Sequence, residues 1–289
     1  MTYMFGFPPR ESVVVLGLAG QRVKAAARVD VAAVADPADA ALLGRLGAVA
    51  VPGRSVVVMG WSDDAVLAQQ AAQRVATALG GVDQVIVVSG GRCRAGDGPW
   101  EDCPDSLPAA ECAGLTVLPD RAALAAQVAG PDAGDPQAAE RWLTASAGVW
   151  RMGLPARRER ALRLVDGGLS DPAALSADEL VELAALVSEG AVRDELWCRL
   201  TRRVADAHVG LWMRVVGLVP DAGAPAVLGL LGMAAWVAGN GALQVCCLER
   251  GMALAPSHSL LRLVECVNVL GLEPAAWARL RRSLGPGAF

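Results

Sequence analysis

The stretch LGMAAWVAGNGALQVCCLERGMALAP, residues 231–256, decides how the chain is read. It continues a run without any charge from Ala222 to Leu248. Over a ~19-residue hydropathy window such a run reads as a membrane span. The residues inside it argue otherwise. Gly239-Asn240-Gly241 sets two helix breakers around a turn former in the middle of the run. The segments on either side, 224–238 and 241–255, are each shorter than the roughly 20 residues that cross a bilayer. The second also carries Glu249 and Arg250, and the first carries Gly229 and Gly232, where another helix can come close. The stretch therefore predicts two buried antiparallel helices joined by a tight turn, and no membrane association.

The order Ala235-Trp236, Gly239-Asn240, Ala242-Leu243 and Ala253-Leu254-Ala255-Pro256 is similar to one tetratricopeptide unit, in which a small-residue turn joins two helices and a proline closes the second. No clean second copy occurs, so neighbouring helices of other sequence must cover this hairpin. Helical spacing predicts those neighbours at 137–148, 155–165, 177–188, 191–207, 209–218, 258–270 and 274–283. Ser176 and Glu179 form a capping box ahead of one of them, and Gly190 and Gly210 read as helix stops.

The other half of the chain has a different rhythm. Ser12–Leu18 is a short run rich in valine, a buried strand by length and composition. Val23–Val31 pairs with it through the turn Ala19-Gly20-Gln21. Ser55–Gly60 and Val82–Val88 are two further strands, with a helix of apolar spacing between them over Asp64–Leu79, stopped by Gly80-Gly81. Strand, helix, strand in that order is a crossover unit, so part of the sheet is parallel. Residues 90–108 read as a long loop or an irregular hairpin, Leu115–Leu118 as a short strand and Arg121–Val128 as a helix. The Gly, Pro and Asp residues of 130–136 mark a boundary. The fold class is thus an α/β domain, residues 1–130, with a mixed and partly parallel sheet flanked by helices, followed by an all-helical domain, residues 137–289, with the tetratricopeptide-like hairpin.

Composition narrows the function classes. A formal net charge of −4 gives no global basic field, so nucleic acid is not expected as a partner. Of the 26 Lys and Arg residues only Lys24 is lysine, which leaves lysine chemistry one position and points to a GC-rich genome. Seven scattered cysteines, and an opening without a charged, then apolar leader, imply reduced thiols in the cytoplasm.

Several segments together are similar to one family. GFPPRESVVVLGL (6–18) resembles its aromatic-proline turn and first strand. SVVVMGWSDDA (55–65) and VDQVIVVSGGRCR (82–94) resemble its two central strands. WEDCP (100–104) resembles its cysteine-bearing loop, and LPDRAALAAQVAGP (118–131) its following helix. AVRDELW (191–197) and the segment 211–277 resemble its helical half. The chain is identified on these segments as a member of the actinobacterial domain of unknown function 4192. The resemblance implies a cytoplasmic actinobacterial protein and brings no activity with it. The chain departs from the family pattern in having few residues before Gly6, Pro8 where a histidine often stands, and Cys103-Pro104 where several cysteines cluster.

In an open parallel sheet, ligands bind where the strands end. Here that places Ser62, Asp63 and Asp64 beside Ser89, Gly90 and Arg92. Their carboxylates suit a metal or a proton transfer, and their backbone amides and guanidinium suit an anion. The same residues also serve plain structure, Ser62 or Asp63 as a helix cap and the glycines as a strand exit. The Gly-rich dinucleotide and phosphate signatures, the nucleophile elbow and the zinc-protease helix motif do not occur. Cys93, Cys103 and Cys112 lack the tight pair of a structural zinc site, so no metal and no cofactor is expected. One of Cys246 and Cys247 is expected in the core. His208 and His258 read as helix-terminal or surface residues. The arginines of 157–160, 199–203 and 279–282 read as solvated faces, and Arg193-Asp194 as an ion pair between helices. Five tryptophans on predicted helices read as core, and Trp100, in the loop, as the exposed contact residue for a partner. The reading that follows is a non-enzymatic interaction or regulatory module whose partner is a protein or peptide. The alternative is a small-molecule-binding protein or enzyme that uses the crevice beyond Gly60 and Val88.

Overall fold

A computed structural model describes residues 5–35, 46–47, 49–50, 53–103 and 117–284. The chain forms two compact units. The first comprises Met1–Arg121 and Val269–Glu273, the second Ala122–Asn268 and Pro274–Phe289.

The first unit is built on a six-stranded mixed sheet. Its strands are β1 (Ser12–Ala19), β2 (Arg22–Asp30), β3 (Ser55–Trp61), β4 (Gln84–Ser89), β5 (Arg92–Ala95) and β6 (Glu101–Asp102), in spatial order β2-β1-β3-β4-β5-β6. β3 and β4 are parallel and every other pair is antiparallel. The short helix α1 (Val31–Ala35) follows β2, and α2 (Ala65–Ala78) makes the crossover. The strand β1 reads as one apolar run because every residue from Ser12 to Leu16 is buried, with side chains covered on both sheet faces. One face carries Val13, Val15, Val56 and Val58 against Ala72 and Val75 of α2. Gly60 lets α2 lie this close: a Cβ there would sit 2.1 Å from the carbonyl oxygen of Ala68. Residues 92–102 form the irregular hairpin of the two loop readings, with β5 and β6 continuing the sheet. The strand expected at Leu115–Leu118 and the thiol of Cys112 lie outside the described residues, apart from Val117 and Leu118, which are not in a strand.

The helix α3 (Arg121–Gln127) precedes the second unit's α4 (Pro136–Trp150), α5 (Leu154–Ser170), α6 (Ala177–Val187), α7 (Gly190–Cys198), α8 (Ala205–Val216), α9 (Ala224–Ala238), α10 (Gly241–Leu254), α11 (Ser259–Val269) and α12 (Pro274–Leu284). The capping box forms: Ser176 accepts from the Glu179 amide, and the Glu179 side chain accepts from the Ser176 amide. The hairpin of the opening stretch is α9 and α10. Gly239 closes α9 at φ +81°, a left-handed value that only glycine takes without strain. Asn240 then caps α10 by accepting from the Leu243 amide at 3.1 Å. The uncharged run has its cause here. From Ala226 to Val237 every residue of α9 is buried, because α6, α7, α8, α10 and α12 surround it. Among the described residues no helix is long and apolar enough to cross a membrane.

Three helix boundaries differ from the sequence reading. The segment 191–207 is not one helix: α7 ends at Cys198 and α8 starts at Ala205. Gly210 stops nothing. It lies inside α8, where burial of His208, Leu211, Trp212 and Val215 outweighs the roughly 1 kcal/mol that a mid-helix glycine costs. Gly190 likewise opens α7 instead of closing α6.

The core is aromatic at one point. Trp197 and Trp277 lie with ring centroids 5.3 Å apart, Trp236 meets Trp277 at 6.3 Å, and the Trp277 indole donates to the Leu200 carbonyl at 2.8 Å. Trp212 is fully buried.

Candidate functional site

The crevice residues do come together beyond β3 and β4, around a residue that sequence spacing does not point to. Glu11 enters β1 at φ +43°, the only described residue besides glycines with a positive φ. Its carboxylate accepts from the Ser62 hydroxyl at 2.9 Å and from the Asp63 amide at 3.0 Å. Ser62 in turn accepts from the Asp64 amide at 3.1 Å and donates its own amide to the Val88 carbonyl. Asp64, and neither Ser62 nor Asp63, caps α2, accepting from Val66 and Leu67 at 2.9 and 3.2 Å. The Ser89 hydroxyl donates to the Asp63 carbonyl at 3.0 Å. Strain at a non-glycine residue is held only where the surroundings over-determine it. Here two charge-assisted bonds at the start of a helix do so.

This arrangement fixes a strand-to-helix corner. Ser62 is 2% exposed, so its hydroxyl offers no path for attack on a substrate. Gly90 and Gly91, at φ +55° and +75°, turn β4 into β5. Arg92 is directed away from Ser62. It donates to the Trp100 carbonyl at 2.8 Å, stands 3.9 Å from Asp102, and leaves 55% of its side chain in solvent. The carboxylates of Asp63 and Asp64 face solvent, and the described residues hold no grouping of three metal-binding side chains. The thiols of Cys93 and Cys103 lie on the β5–β6 ribbon. Burial, then the neighbouring Cys93 thiol, raise the pKa of Cys103, which makes it a poorer nucleophile.

Trp100 is not the exposed aromatic. It is half-buried, and the Arg94 guanidinium lies over its ring at 5.0 Å while also donating to Gln69. Of the tryptophans expected in the core, Trp142 is only half-buried. Among the described residues the exposed ring is Trp150 at the end of α4, 73% open to solvent, with Arg157 over its ring at 5.1 Å.

The helical unit corrects four further expectations. His208 stands in the first turn of its helix but not on the surface. It is buried in α8 beside a small apolar recess lined by Leu196, Trp197, Leu200, Trp212 and Leu230. Burial lowers its pKa to about 4, and the nearby Asp166 only partly offsets this. His258, just ahead of α11, also has a lowered pKa, from burial and then from Arg193 beside it. Arg193 and Asp194 pair within one helix, at 2.7 Å, and the link between helices is the bond from Arg193 to the Ser259 hydroxyl at 3.1 Å. The Trp197 indole donates to the same Asp194 oxygen. Cys246 and Cys247 are both buried, and burial raises the pKa of Cys247 well above the usual range. The arginines of 157–160 are engaged. Arg157 donates to the carbonyls of Val149, Trp150 and Met152 and so closes α4. Arg160 pairs with Glu179 and Glu182, and Arg158 with Glu195.

Glu11 and the contact of Arg193 with Ser259 escape sequence reading for one reason. Their partners lie 51 and 66 positions away in the chain, and nothing in local spacing announces them.

Comparison with known proteins adds one result. No curated protein and no solved structure matched the chain. A family described as Domain of unknown function (DUF4192) matches residues 2–275. The match spans both the sheet and nearly all of the helical half, and the chain is a member of the family of domain of unknown function 4192.

Proposed function

We propose that the chain is a non-enzymatic interaction or regulatory module that meets a protein or peptide partner through the outer face of α4. The observation that carries this is Trp150, a ring of the type that anchors interfaces, left 73% exposed beside Leu143 at 68%. The strand-end crevice supports the same reading from the other side. Ser62, Asp64 and Ser89 each hold a bond that builds the corner, and Arg92 donates to the Trp100 carbonyl instead, so most of the groups that a ligand needs are engaged by the fold. Free thiols at the described cysteines agree with a cytoplasmic location, and the near absence of lysine agrees with an actinobacterial source.

A thermal-shift panel of nucleotides, divalent metals and small metabolites tests this reading. A ligand that binds the folded state raises the midpoint by mass action. The expected result is a flat panel. A shift that disappears in Asp63→Ala would transfer the function to the crevice.

A further inference from the structure

The outer face of α4 has a definite pattern. Pro136, Glu140, Leu143, Ala147 and Trp150 recur at intervals of four and three, the spacing that lines up one seam along a helix. All five are exposed. The second unit uses the other side of α4, where Ala138 and Val149 are buried. The seam is also graded in charge. Glu140 lies toward its N-terminal end and Arg151 at its C-terminal end. Both are exposed, and among the described residues neither takes part in an ion pair.

Such a face is its own complement under a two-fold axis. Laid antiparallel on a second α4, each Leu143 falls opposite the other copy's Ala147, a large side chain on a small one. Each Trp150 covers the other's Glu140 stem, and each Glu140 carboxylate comes beside the other's Arg151. A parallel pairing would set Glu140 on Glu140 and Arg151 on Arg151. We propose that α4 is a self-association surface and that its occupant is a second copy of this chain in that antiparallel register. The proposal rests on the reading of the chain as an interaction module and names its partner. A 15-residue helix is about 22 Å long. A single helix pair buries an area at the low end for specific complexes, so the dimer exchanges with monomer as concentration changes.

Light scattering on the eluting full chain, from low micromolar to submillimolar concentration, tests this. Wild type should move from the monomer mass toward twice that mass. Glu140→Arg and Arg151→Glu should each weaken association about tenfold, because each reverses two symmetry-related ion pairs. The double variant should recover it. Trp150→Ala should weaken it by tenfold or more. All three positions are exposed, and unchanged circular dichroism and melting would show the fold intact. A monomer at every concentration overturns the proposal. So does a dimer indifferent to the two charge reversals, or a double variant that stays monomeric. If wild type is monomeric but a different protein binds it directly and Trp150→Ala abolishes that complex, self-association fails while the interaction reading stands.

Discussion

The corner beyond β3 and β4 and the outer face of α4 present opposite relations between residue type and role. The corner gathers residues that chemistry favours, Glu11, Ser62, Asp63, Asp64 and Ser89, and binds four of them into the backbone. The α4 face carries residues that a fold normally buries, Leu143 and Trp150, and leaves them in solvent. Polar groups clustered at the mouth of a sheet are a poor sign of a site when each already has its partner. Large apolar groups left in solvent are a better one, even where, as at Trp150, a single arginine lies over the ring.

The widest contrast available is between two tryptophans. Trp212→Ala should lower stability by about 3–5 kcal/mol, the cost of emptying a packed aromatic position. Trp150→Ala should change it by less than about 0.5 kcal/mol. Chemical denaturation of both variants measures the pair. A large loss at Trp150 would mean that α4 needs this ring for its own packing, and the contrast would collapse.

Acid offers a second way to separate buried from displayed groups. The folded pKa of His208, about 4, lies below its unfolded value near 6.5. The unfolded chain therefore binds the proton first as pH falls. The contribution is complete above pH 6.5 and is lost between 6.5 and 4, where it amounts to about 3 kcal/mol. Asp166 works against the shift, while His258, lowered as well, adds to the loss in the same direction. Denaturation midpoints across this range should fall in wild type and fall less in His208→Leu. Equal slopes would remove His208 as the cause.

A third contrast sharpens the reading of the corner. Glu11→Ala should cost about 1–3 kcal/mol, since it leaves the buried Ser62 hydroxyl without its acceptor. Glu11→Gly should cost about 1 kcal/mol less, because glycine accepts the positive φ without strain. The two melting curves decide it. Identical losses would mean that the backbone at Glu11 carries no strain.

Much of this architecture is legible in the sequence because it is written in local periodicity. The apolar runs of β1, β3 and β4, the capping box at Ser176 and the breakers at 239–241 each act within a few residues. Failures begin where tertiary burial outweighs local preference. Gly210 sits inside a helix because its neighbours are buried, and His208 is interior because its own side of α8 meets Leu230 and Ala234 of α9. Trp100 reads as free because its segment looks like a loop, yet β5 supplies Arg94 to cover it. The crevice residues lie at or just past the ends of β3 and β4, and Glu11, which organises them, comes from the start of the neighbouring antiparallel strand β1.

The turn at Gly239 bears on the moment of synthesis. An uncharged run such as 222–248 is most dangerous while it emerges unfolded, before anything covers it. Its two helices are neighbours in sequence, so their meeting requires only a short search. Closing a short loop takes far less than a millisecond, whereas a ribosome adds about 5–20 residues each second. The left-handed glycine thus lets the most water-averse part of the chain fold against itself as fast as it appears.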